Sequence, residues 1–354
     1  TNTIVLDDSG DDDINTGTYL GTTVSGLDMT GSATFANAAN VEVRLGAQDD
    51  VFYVPGVAAD VTATLLTGGG FDTVYVGTTE GNETAGNVDA ILGDFIVEGQ
   101  GPEAKDTLYF NDQDNDTAAT YLFTSEITGT RTLANGDPWP VDTSTFSRTG
   151  AGNIIYRTME TVVLNAGSGD DTIDVQGTHR EQDVSGGKAS SLAINAGAGA
   201  DTVQLGQPLA GGGRSLDNFS IDIGTPTFDS VKGIPVMING QDGHDTVHFF
   251  DNATTLQTNL AFTQNSFAEL FPASEPTDSD GIDDDSFNLY QSIFGEDPTG
   301  SYASVVLTHT DPGGGEEVPT ALNVNARTSE EIRATLGSGD DVIQLTSDQY
   351  PYDI

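Results

Sequence analysis

Cysteine is absent from this chain of 354 residues, so neither a disulfide framework nor a thiolate metal site can contribute to its stability. Basic residues are scarce: 11 lysines and arginines stand against 55 aspartates and glutamates, and the formal net charge is −44. A charge of that size and sign repels the phosphates of nucleic acids and of membrane surfaces. No apolar run is long enough to span a bilayer. We therefore expect neither a nucleic-acid partner nor membrane insertion.

Long helical stripes are also missing, because no apolar pattern of period 3.6 is sustained along the chain. Hydrophobic residues make up only 36% of the sequence, whereas there are 43 glycines. This composition favours short strands joined by many turns. The sequence therefore predicts an all-β protein.

The chain is organised around residues 161–177, with the sequence TVVLNAGSGDDTIDVQG. Short apolar runs at 162–164 and 173–175 have the character of half-buried strands on either side of a turn. Within the turn, glycines permit positive φ angles and leave carbonyls uncovered, while aspartates bring hard anionic oxygens to the same corner. This combination of oxygen ligands suits Ca²⁺.

The same corner recurs along the chain. The order G-x-G-x-D-x-apolar occurs four times, at 68–74, 167–173, 197–203 and 337–343. Degenerate copies lie at 10–14, 46–52 and 241–247, and a stretched copy at 99–108 includes Asp106. Such repetition predicts one continuous core built by successive repeats, so the chain length gives no reason to expect two separate domains.

These corners resemble the calcium-binding nonapeptide repeat G-G-x-G-x-D-x-U-x of RTX proteins. The resemblance implies stacked turns of a parallel β-roll, with each Ca²⁺ held between turns by the motif aspartate and glycine carbonyls. It also implies secretion, and we interpret the chain, which opens without a signal peptide, as a processed or excerpted segment. The ligand positions that the resemblance implies are Asp12, Asp50, Asp72, Asp170, Asp171, Asp201, Asp245, Asp340, Asp341, Gly69, Gly167, Gly169, Gly197, Gly199, Gly337 and Gly339.

The spacing of the motifs departs from the RTX pattern, in which the repeats are in tandem. Successive aspartates are 22 residues apart from Asp50 to Asp72 and 30 apart from Asp171 to Asp201. One motif per coil predicts a larger coil, that of an elongated parallel β-helix or β-solenoid in which one corner repeats. Asp50 and Asp171, 121 residues apart, are then expected to occupy equivalent corners of a higher-order repeat.

Two long stretches without a motif interrupt the coils, and both contain strand-like pieces. We interpret each as an inserted β-hairpin or flap that projects sideways from the coils. The predicted division is a first set of coils at 1–110, an insertion at 111–160, a second set at 161–250, an insertion at 251–331 and the start of a third set at 332–354.

Other acidic groups leave alternatives open. Asp112, Asp114 and Asp116 have the alternate spacing of an oxygen-ligand loop but lack the glycine and glutamate of an EF-hand. Asp278 to Asp285 reads as a solvated loop. The acidic composition as a whole is also what a halophilic protein would show, with only three lysines. His244 and His248, four apart in a strand context, do not favour a zinc site.

No catalytic residue is assigned from the sequence. Adjacent carboxylates such as Asp170 and Asp171 point to opposite faces of a strand, which disfavours a general acid and base pair. We therefore expect a non-enzymatic, calcium-stabilised structural or adhesive protein of the cell surface: part of a bacterial surface fibre, surface layer or large adhesin. Its expected partners are identical copies or further repeats joined end to end, together with surface glycans. The alternatives are an extracellular β-helix polysaccharide lyase or epimerase, for which Arg327 and Arg333 are the nearest basic pair, and a glycan-binding module.

Overall fold

A computed structural model describes residues 2–99, 106–132, 138–178, 191–216, 236–253, 257–266, 301–310, 318–327, 331–338 and 341–345. Within these ranges the chain forms β-strands and one short 3-10 helix, Val88–Ala90, which confirms the predicted all-β class. No helix in the described ranges is long and apolar enough to cross a membrane.

The strands are numbered in chain order. The first ten are β1 (Thr3–Asp7), β2 (Thr16–Gly21), β3 (Thr23–Gly26), β4 (Ser32–Thr34), β5 (Asn40–Arg44), β6 (Val51–Val57), β7 (Thr62–Leu66), β8 (Thr73–Val76), β9 (Asp94–Glu98) and β10 (Thr107–Asn111). The next ten are β11 (Thr120–Thr132), β12 (Pro138–Arg148), β13 (Ile154–Arg157), β14 (Thr161–Asn165), β15 (Thr172–Val175), β16 (Ser191–Asn195), β17 (Ala198–Gly199), β18 (Thr202–Leu205), β19 (Gln207–Pro208) and β20 (Arg214–Ser215). The remainder are β21 (Val236–Asn239), β22 (Asp242–Gly243), β23 (Thr246–Phe250), β24 (Gln257–Ser266), β25 (Ser301–Thr310), β26 (Val318–Arg327), β27 (Glu331–Thr335) and β28 (Val342–Leu345).

Two large sheets contain nearly all of these strands. Sheet A has eleven strands in the order β1-β5-β7-β9-β13-β12-β11-β15-β18-β23-β27. Sheet B has thirteen, in the order β28-β24-β25-β26-β21-β16-β14-β10-β8-β6-β2-β3-β4. Most neighbours are parallel, and the antiparallel pairs are confined to β2 through β4, to β11 through β13, and to β24 through β26. Two small sheets, β17 with β22 and β19 with β20, lie in the connections.

The chain passes from one sheet to the other at almost every connection. From β5 to β10 it alternates between A and B, and each new strand pairs in parallel with the previous strand of the same sheet. The pairing stays in register, so that Thr73, Thr107 and Thr161 lie side by side at the beginning of three neighbouring strands. We call each passage through both sheets a coil.

The core lies between the two sheets and is a single apolar cluster. Inward residues alternate with outward ones along the strands, so Val74 and Val76 of β8 are fully buried while Tyr75 is half-buried on the outer face. The cluster includes large aromatic rings: Phe110 stacks on Phe146 with ring centroids 4.0 Å apart. Full burial of one such side chain stabilises the fold by about 1.5–3 kcal/mol, so the period-two apolar pattern has a direct energetic basis.

The strand-like pieces in the predicted insertions are members of the main sheets. Strand β11 enters sheet A beside β15, β12 returns antiparallel, and β13 pairs in parallel with β9. In the second insertion, β24 pairs with β28, β25 returns antiparallel, and β26 pairs with β21 in sheet B. Residues 120–123 of β11 and 144–146 of β12 therefore extend sheet A, and the expectation of a separate projecting flap is wrong for these segments. In their remaining described parts, β11 and β12 pair only with each other.

The expectation that Asp50 and Asp171 occupy equivalent corners is also wrong. Asp50 precedes β6 of sheet B, whereas Asp171 precedes β15 of sheet A, so the two lie on opposite turns between the sheets. Between β6 and β15 the chain changes sheet seven times, which is three and a half coils. Because seven is an odd number of sheet changes, the motif that precedes a strand of sheet B in the first set precedes a strand of sheet A in the second set. The same parity explains why the first insertion enters sheet A and the second enters sheet B.

A buried ion pair anchors the first insertion. Arg148, the last residue of β12, donates from Nε to Asp112 Oδ2 at 2.8 Å, and the Tyr121 hydroxyl donates to the same oxygen at 2.8 Å. Asp112 Oδ1 accepts the backbone N–H of Val88 at 3.0 Å. Asp112 is fully buried, whereas Asp114 and Asp116 are exposed, so the three carboxylates of the candidate second calcium loop do not converge.

We expect Arg148→Ala to lower the free energy of unfolding by about 3–5 kcal/mol, because it leaves the buried Asp112 carboxylate without its countercharge. The measurement is denaturant unfolding followed by circular dichroism. Arg157→Ala is the matched control: Arg157 pairs with Glu98, both side chains are about one-third exposed, and the expected loss is at most about 1 kcal/mol. Equal losses of unfolding free energy in the two variants would show that the buried Asp112 pair stabilises the fold no more than the partly exposed Glu98 pair.

Candidate functional site at the aspartate corners

The aspartates of the first set form a stack at the turn that leads into sheet B. Asp50, Asp72 and Asp106 immediately precede β6, β8 and β10, and each is at most 1% exposed. Each carboxylate accepts the backbone N–H of the residue that holds the same position one coil earlier. The bonds are Asp50 Oδ1 with Asn15 N at 2.7 Å, Asp72 Oδ1 with Asp50 N at 2.8 Å, and Asp106 Oδ1 with Asp72 N at 2.9 Å.

The aspartates of the second set form the same stack at the opposite turn. Asp171, Asp201 and Asp245 precede β15, β18 and β23 and are at most 3% exposed. The bonds are Asp171 Oδ1 with Ala119 N at 2.7 Å, Asp201 Oδ1 with Asp171 N at 2.7 Å, and Asp245 Oδ1 with Asp201 N at 2.9 Å.

Local geometry explains why aspartate is used at this position. The residue after each aspartate begins the strand and donates to the previous coil, as Thr73 N does to Asp50 O at 2.8 Å. The backbone N–H of the aspartate itself lies one residue before the strand. The aspartate of the next coil accepts this N–H with its short side chain, so hydrogen bonding between the coils continues into the turn. A carboxyl oxygen accepts this bond whether or not the group is protonated, so no buried N–H donor is left unpaired.

The exposed aspartate that precedes the motif residue binds in the other direction. Asp49 Oδ1 accepts Phe71 N at 2.9 Å, and Asp170 Oδ1 accepts Ala200 N at 2.9 Å. Both acceptors reach forward by one coil, whereas Asp50 and Asp171 reach back by one. An adjacent aspartate pair thus joins one turn to the coils on both sides of it.

The corner glycines are required because turns of successive coils lie directly on one another. Gly197 has φ +99°, and a Cβ added there would lie 1.7 Å from the carbonyl oxygen of Gly167. At Gly243 a Cβ would lie 1.5 Å from Gly199 O, and at Gly68 it would lie 2.0 Å from Gly46 O. Only glycine tolerates both the positive φ and this approach. The alternation of glycines in the motif therefore has a packing cause that is independent of any bound metal.

Burial makes the corner carboxylates unusually basic. Loss of hydration raises the pKa of Asp72 to about 8, that of Asp201 to about 7, and that of Asp171 to about 6, against the lowering effect of the backbone bonds. The same cause raises the pKa of Asp106 to about 6. The Oδ2 atoms of Asp72, Asp171 and Asp201 are buried without a hydrogen-bond partner. A buried oxygen of this kind is stabilised by a proton or by a cation.

The fit to calcium is incomplete at the described corners. Ca²⁺ takes six to eight oxygen ligands. The glycine carbonyls already accept backbone N–H groups of the next coil, as Gly46 O does from Gly69 N at 3.1 Å and Gly197 O from Asp242 N at 3.2 Å. Across the described ranges, no three His, Cys, Asp or Glu side chains are grouped so as to hold a metal ion. The corners of Asp72, Asp171 and Asp201 therefore each offer one unmet carboxyl oxygen but not a full ligand set.

The remaining predicted positions are placed as follows. Asp12 is exposed, and Asn15 occupies the stack position of the first coil, because Thr16 is the residue in register with Val51. Gly337 and Asp341 are half-buried near the start of β28. Gly339 and Asp340 lie outside the described residues.

Two further stacks were missed by the sequence analysis. Asparagines at the ends of neighbouring strands of sheet B bond side chain to side chain: Asn165 donates to Asn111 at 2.8 Å and Asn195 donates to Asn165 at 2.7 Å. Tyr53, Tyr75 and Tyr109 stack on the outer face of the same sheet. The signal for the asparagines was present, because Asn-Ala-Gly follows the apolar run at both 165–167 and 195–197.

Comparison with known proteins adds no relative: no family model, no curated protein and no solved structure matches this chain. The resemblance of the corners to the RTX motif stays a prediction.

We expect Gly197→Ala to destabilise the protein by about 3 kcal/mol, because it adds a clash with Gly167 O to the strain of a positive φ. Gly212→Ala is matched in backbone conformation, with φ +88°, and has open space around its Cβ. It should lose only about 1–2 kcal/mol. Urea unfolding of both variants measures the difference, and equal losses would contradict tight stacking at the corner.

Stability should depend on pH in the direction set by the raised carboxyl pKa values. The folded corners bind protons more tightly than the unfolded chain, whose aspartates titrate near 3.8. Their contribution is full below about pH 4 and is lost as the pH rises through about 6–8. In chelator, the melting temperature should therefore fall between pH 5 and about pH 8.5.

Asp72→Asn should flatten this profile and raise the melting temperature at the alkaline end, because the amide has no proton to lose. Asp60→Asn replaces an exposed aspartate and should leave the slope unchanged. If the melting temperature of both variants falls equally with pH, the pH dependence arises from the net charge and not from the corner aspartates.

Proposed function

We propose that the chain is part of an elongated parallel β-solenoid with a structural or adhesive role at the cell surface. The observation that supports this proposal is the stacking of identical side chains from coil to coil. Aspartates stack at both turns, asparagines at the ends of sheet B strands, and tyrosines on its outer face. Such stacks arise when each coil is a translated copy of the one before, as in a solenoid.

Calcium belongs to this proposal as a stabilising ion. The aligned carboxylates carry unmet oxygens at Asp72, Asp171 and Asp201, and the whole chain has a net charge of −44. Divalent ions at the corners would offset part of that repulsion and of the desolvation of the carboxylates. Any additional ligands would come from backbone carbonyls, whose second lone pair is not consumed by the bond to the next coil.

The ion pairs made by the arginines favour a non-enzymatic role over a lyase or epimerase. Such enzymes need a cation to bind the sugar acid, but the five arginines whose side chains the structure describes are held by carboxylates. The side chain of Arg327 lies outside the described ones. Arg44, Arg148, Arg157, Arg214 and Arg333 each pair with an aspartate or glutamate, and Arg333 does so through two bonds to Glu331. The corner aspartates are likewise engaged by backbone N–H groups, which makes them structural acceptors.

End-to-end association is the proposed mode of assembly. Strand β1 forms one edge of sheet A, and no other described strand pairs with its outer side. Its core-facing residues Ile4 and Leu6 are only half-buried, whereas Val41 and Val43, their partners on β5, are 1% and 3% exposed. An open edge of a parallel sheet is a template for a further strand, and repeated contact of this head-to-tail kind propagates instead of closing. Further coils of a longer polypeptide or identical copies would satisfy it.

We expect Ca²⁺ at a hundred times its dissociation constant to stabilise the fold by about 2.7 kcal/mol per occupied site. This corresponds to a rise in melting temperature of roughly 5–10 °C at pH 8 relative to EGTA. Asp201→Asn should reduce the rise, whereas Asp60→Asn should not. Bound metal is quantified in the same samples, with Mg²⁺ as the ionic control.

Sedimentation velocity of the same samples tests the scaffold itself. Elongated particles, longer in Ca²⁺ than in EGTA, are the expected result. A melt that does not respond to Ca²⁺ would remove calcium from the proposal and leave proton binding to stabilise the corners. Compact monomers in both conditions would contradict end-to-end assembly.

A further inference from the structure

A groove on the outer face of sheet B is lined by residues other than the corner aspartates. Its volume is about 590 Å³, within the range of small-molecule sites, about 300–1,000 Å³. The floor includes Tyr75 and Tyr109 with Thr73 and Thr107 from the same strands, and Asn165 and Asn195 line the far side. All are outward-facing positions of successive coils, so the groove runs across the strands.

The connection between β8 and β9 forms one wall because it is tied down onto the sheet. The Tyr53 hydroxyl donates to Glu83 Oε1 at 2.6 Å, and Asn111 Nδ2 donates to Glu83 O at 3.2 Å. Thr78 Oγ1 bonds the carbonyls of Asn82 and Ala85 at 2.7 Å each, which closes the loop on itself. This wall is therefore held in place before any ligand arrives.

Glu83 is the one charged residue among the described residues that line the groove. The other lining groups are hydroxyls, phenols, primary amides and one alanine, in a chain whose net charge is −44. Hydroxyls and amides both donate and accept, as a partner rich in hydroxyl groups requires. Among the described residues, no basic side chain lines the groove, so an anionic ligand would meet Glu83 and the negative field of the chain.

The aromatic floor is preorganised. Tyr75 lies between Tyr53 and Tyr109, with ring centroids 5.2 and 4.8 Å apart and interplanar angles of 12° and 15°. The next positions of this row are Val163 and Ala193, so the stack ends at Tyr109. Burial raises the pKa of Tyr75 to about 12, so its phenol keeps its proton and can donate. Fixed rings lose little conformational entropy on binding.

One polar atom in the groove is unmet. Gln113 is the second residue after β10, and its Oε1 is buried without a hydrogen-bond partner. An acceptor in that state gains from a hydroxyl donor that reaches it. Gln113 lines the groove, so the donor would belong to a molecule bound there.

We propose that this groove binds a short segment of a neutral oligosaccharide, with the tyrosine stack contacting the sugar and Gln113, Thr107 and Asn165 bonding its hydroxyls. Tyrosine offers an apolar body and a polar tip, which matches the mixed surface of a sugar ring. This groove would be the place where the proposed adhesive protein contacts a glycan. The biological use of the groove rests on the proposed function, whereas its sugar binding does not.

The experiment is isothermal titration of the full chain with maltohexaose, cellohexaose, xylohexaose and mannohexaose, and with hexagalacturonic acid as the anionic probe. At least one neutral hexamer should bind saturably and more tightly than hexagalacturonic acid. Tyr109→Ala should weaken that binding at least tenfold, and Gln113→Leu at least fivefold. Thr64→Ala, on the outer face of sheet A, should change the affinity by less than twofold.

Melting temperatures of the variants separate binding from folding. If Tyr109→Ala melts early, Gln113→Leu decides the question, because its side chain has no bond to lose at Oε1. The proposal is overturned by the absence of saturable binding to every neutral hexamer, by preference for hexagalacturonic acid, or by an equal effect of Thr64→Ala. None of these results changes the calcium-dependent melt or the sedimentation of the wild-type chain, so failure of the groove and failure of the scaffold are distinguishable.

Discussion

The bond from an aspartate carboxylate to the backbone N–H of the preceding coil is the interaction on which the rest of this structure depends. Strand ladders pair the backbone within each sheet, but the residue just before each strand lies outside the ladder. Asp72 accepts that N–H from Asp50, and Asp201 accepts it from Asp171. The accepting side chain must be short, buried and in register with the N–H of the preceding coil. An aspartate is therefore found at this position once in each coil of a stack. Glycines accompany it because the turns then lie in direct backbone contact.

This arrangement has an electrostatic consequence. Each coil adds a buried carboxylate above the last, and desolvation raises the pKa of Asp72 and Asp201 well above the usual range. The stack is stable only where the charge is neutralised by a proton or offset by a cation. The groove on sheet B is of the opposite kind, because its described lining consists of hydroxyls and amides with Glu83 as the one charged group. The molecule thus separates the buried carboxyl stacks at its turns from a largely uncharged groove on the outer face of sheet B.

The two insertions follow from the same rule of register. Each adds an antiparallel strand and its neighbour to a sheet without interrupting the parallel ladders on either side, as β12 does between β11 and β13. Arg148 and Asp112 pin the first insertion to the turn beneath it. Since a repeat unit spans three and a half coils, the aspartate stack moves from one turn to the opposite turn after the first insertion, and the second insertion enters the other sheet.

Local sequence determined the strands, the turns and the all-β class, because alternation of apolar residues and the chemistry of glycine and aspartate act within a few residues. It also identified Asp50, Asp72, Asp171, Asp201 and Asp245 as the recurring residue of one motif, and each accepts a backbone N–H from the preceding coil, although they occupy two opposite turns. Only the tertiary structure decided which turn each aspartate occupies, that Asn15 and not Asp12 begins the first stack, and that Asp112 belongs to an ion pair. Those outcomes depend on which distant strand a segment pairs with, and the groove depends on residues from several coils. Pairing over 22 to 54 residues is set by register and core packing across the whole molecule, and no local pattern carries that information.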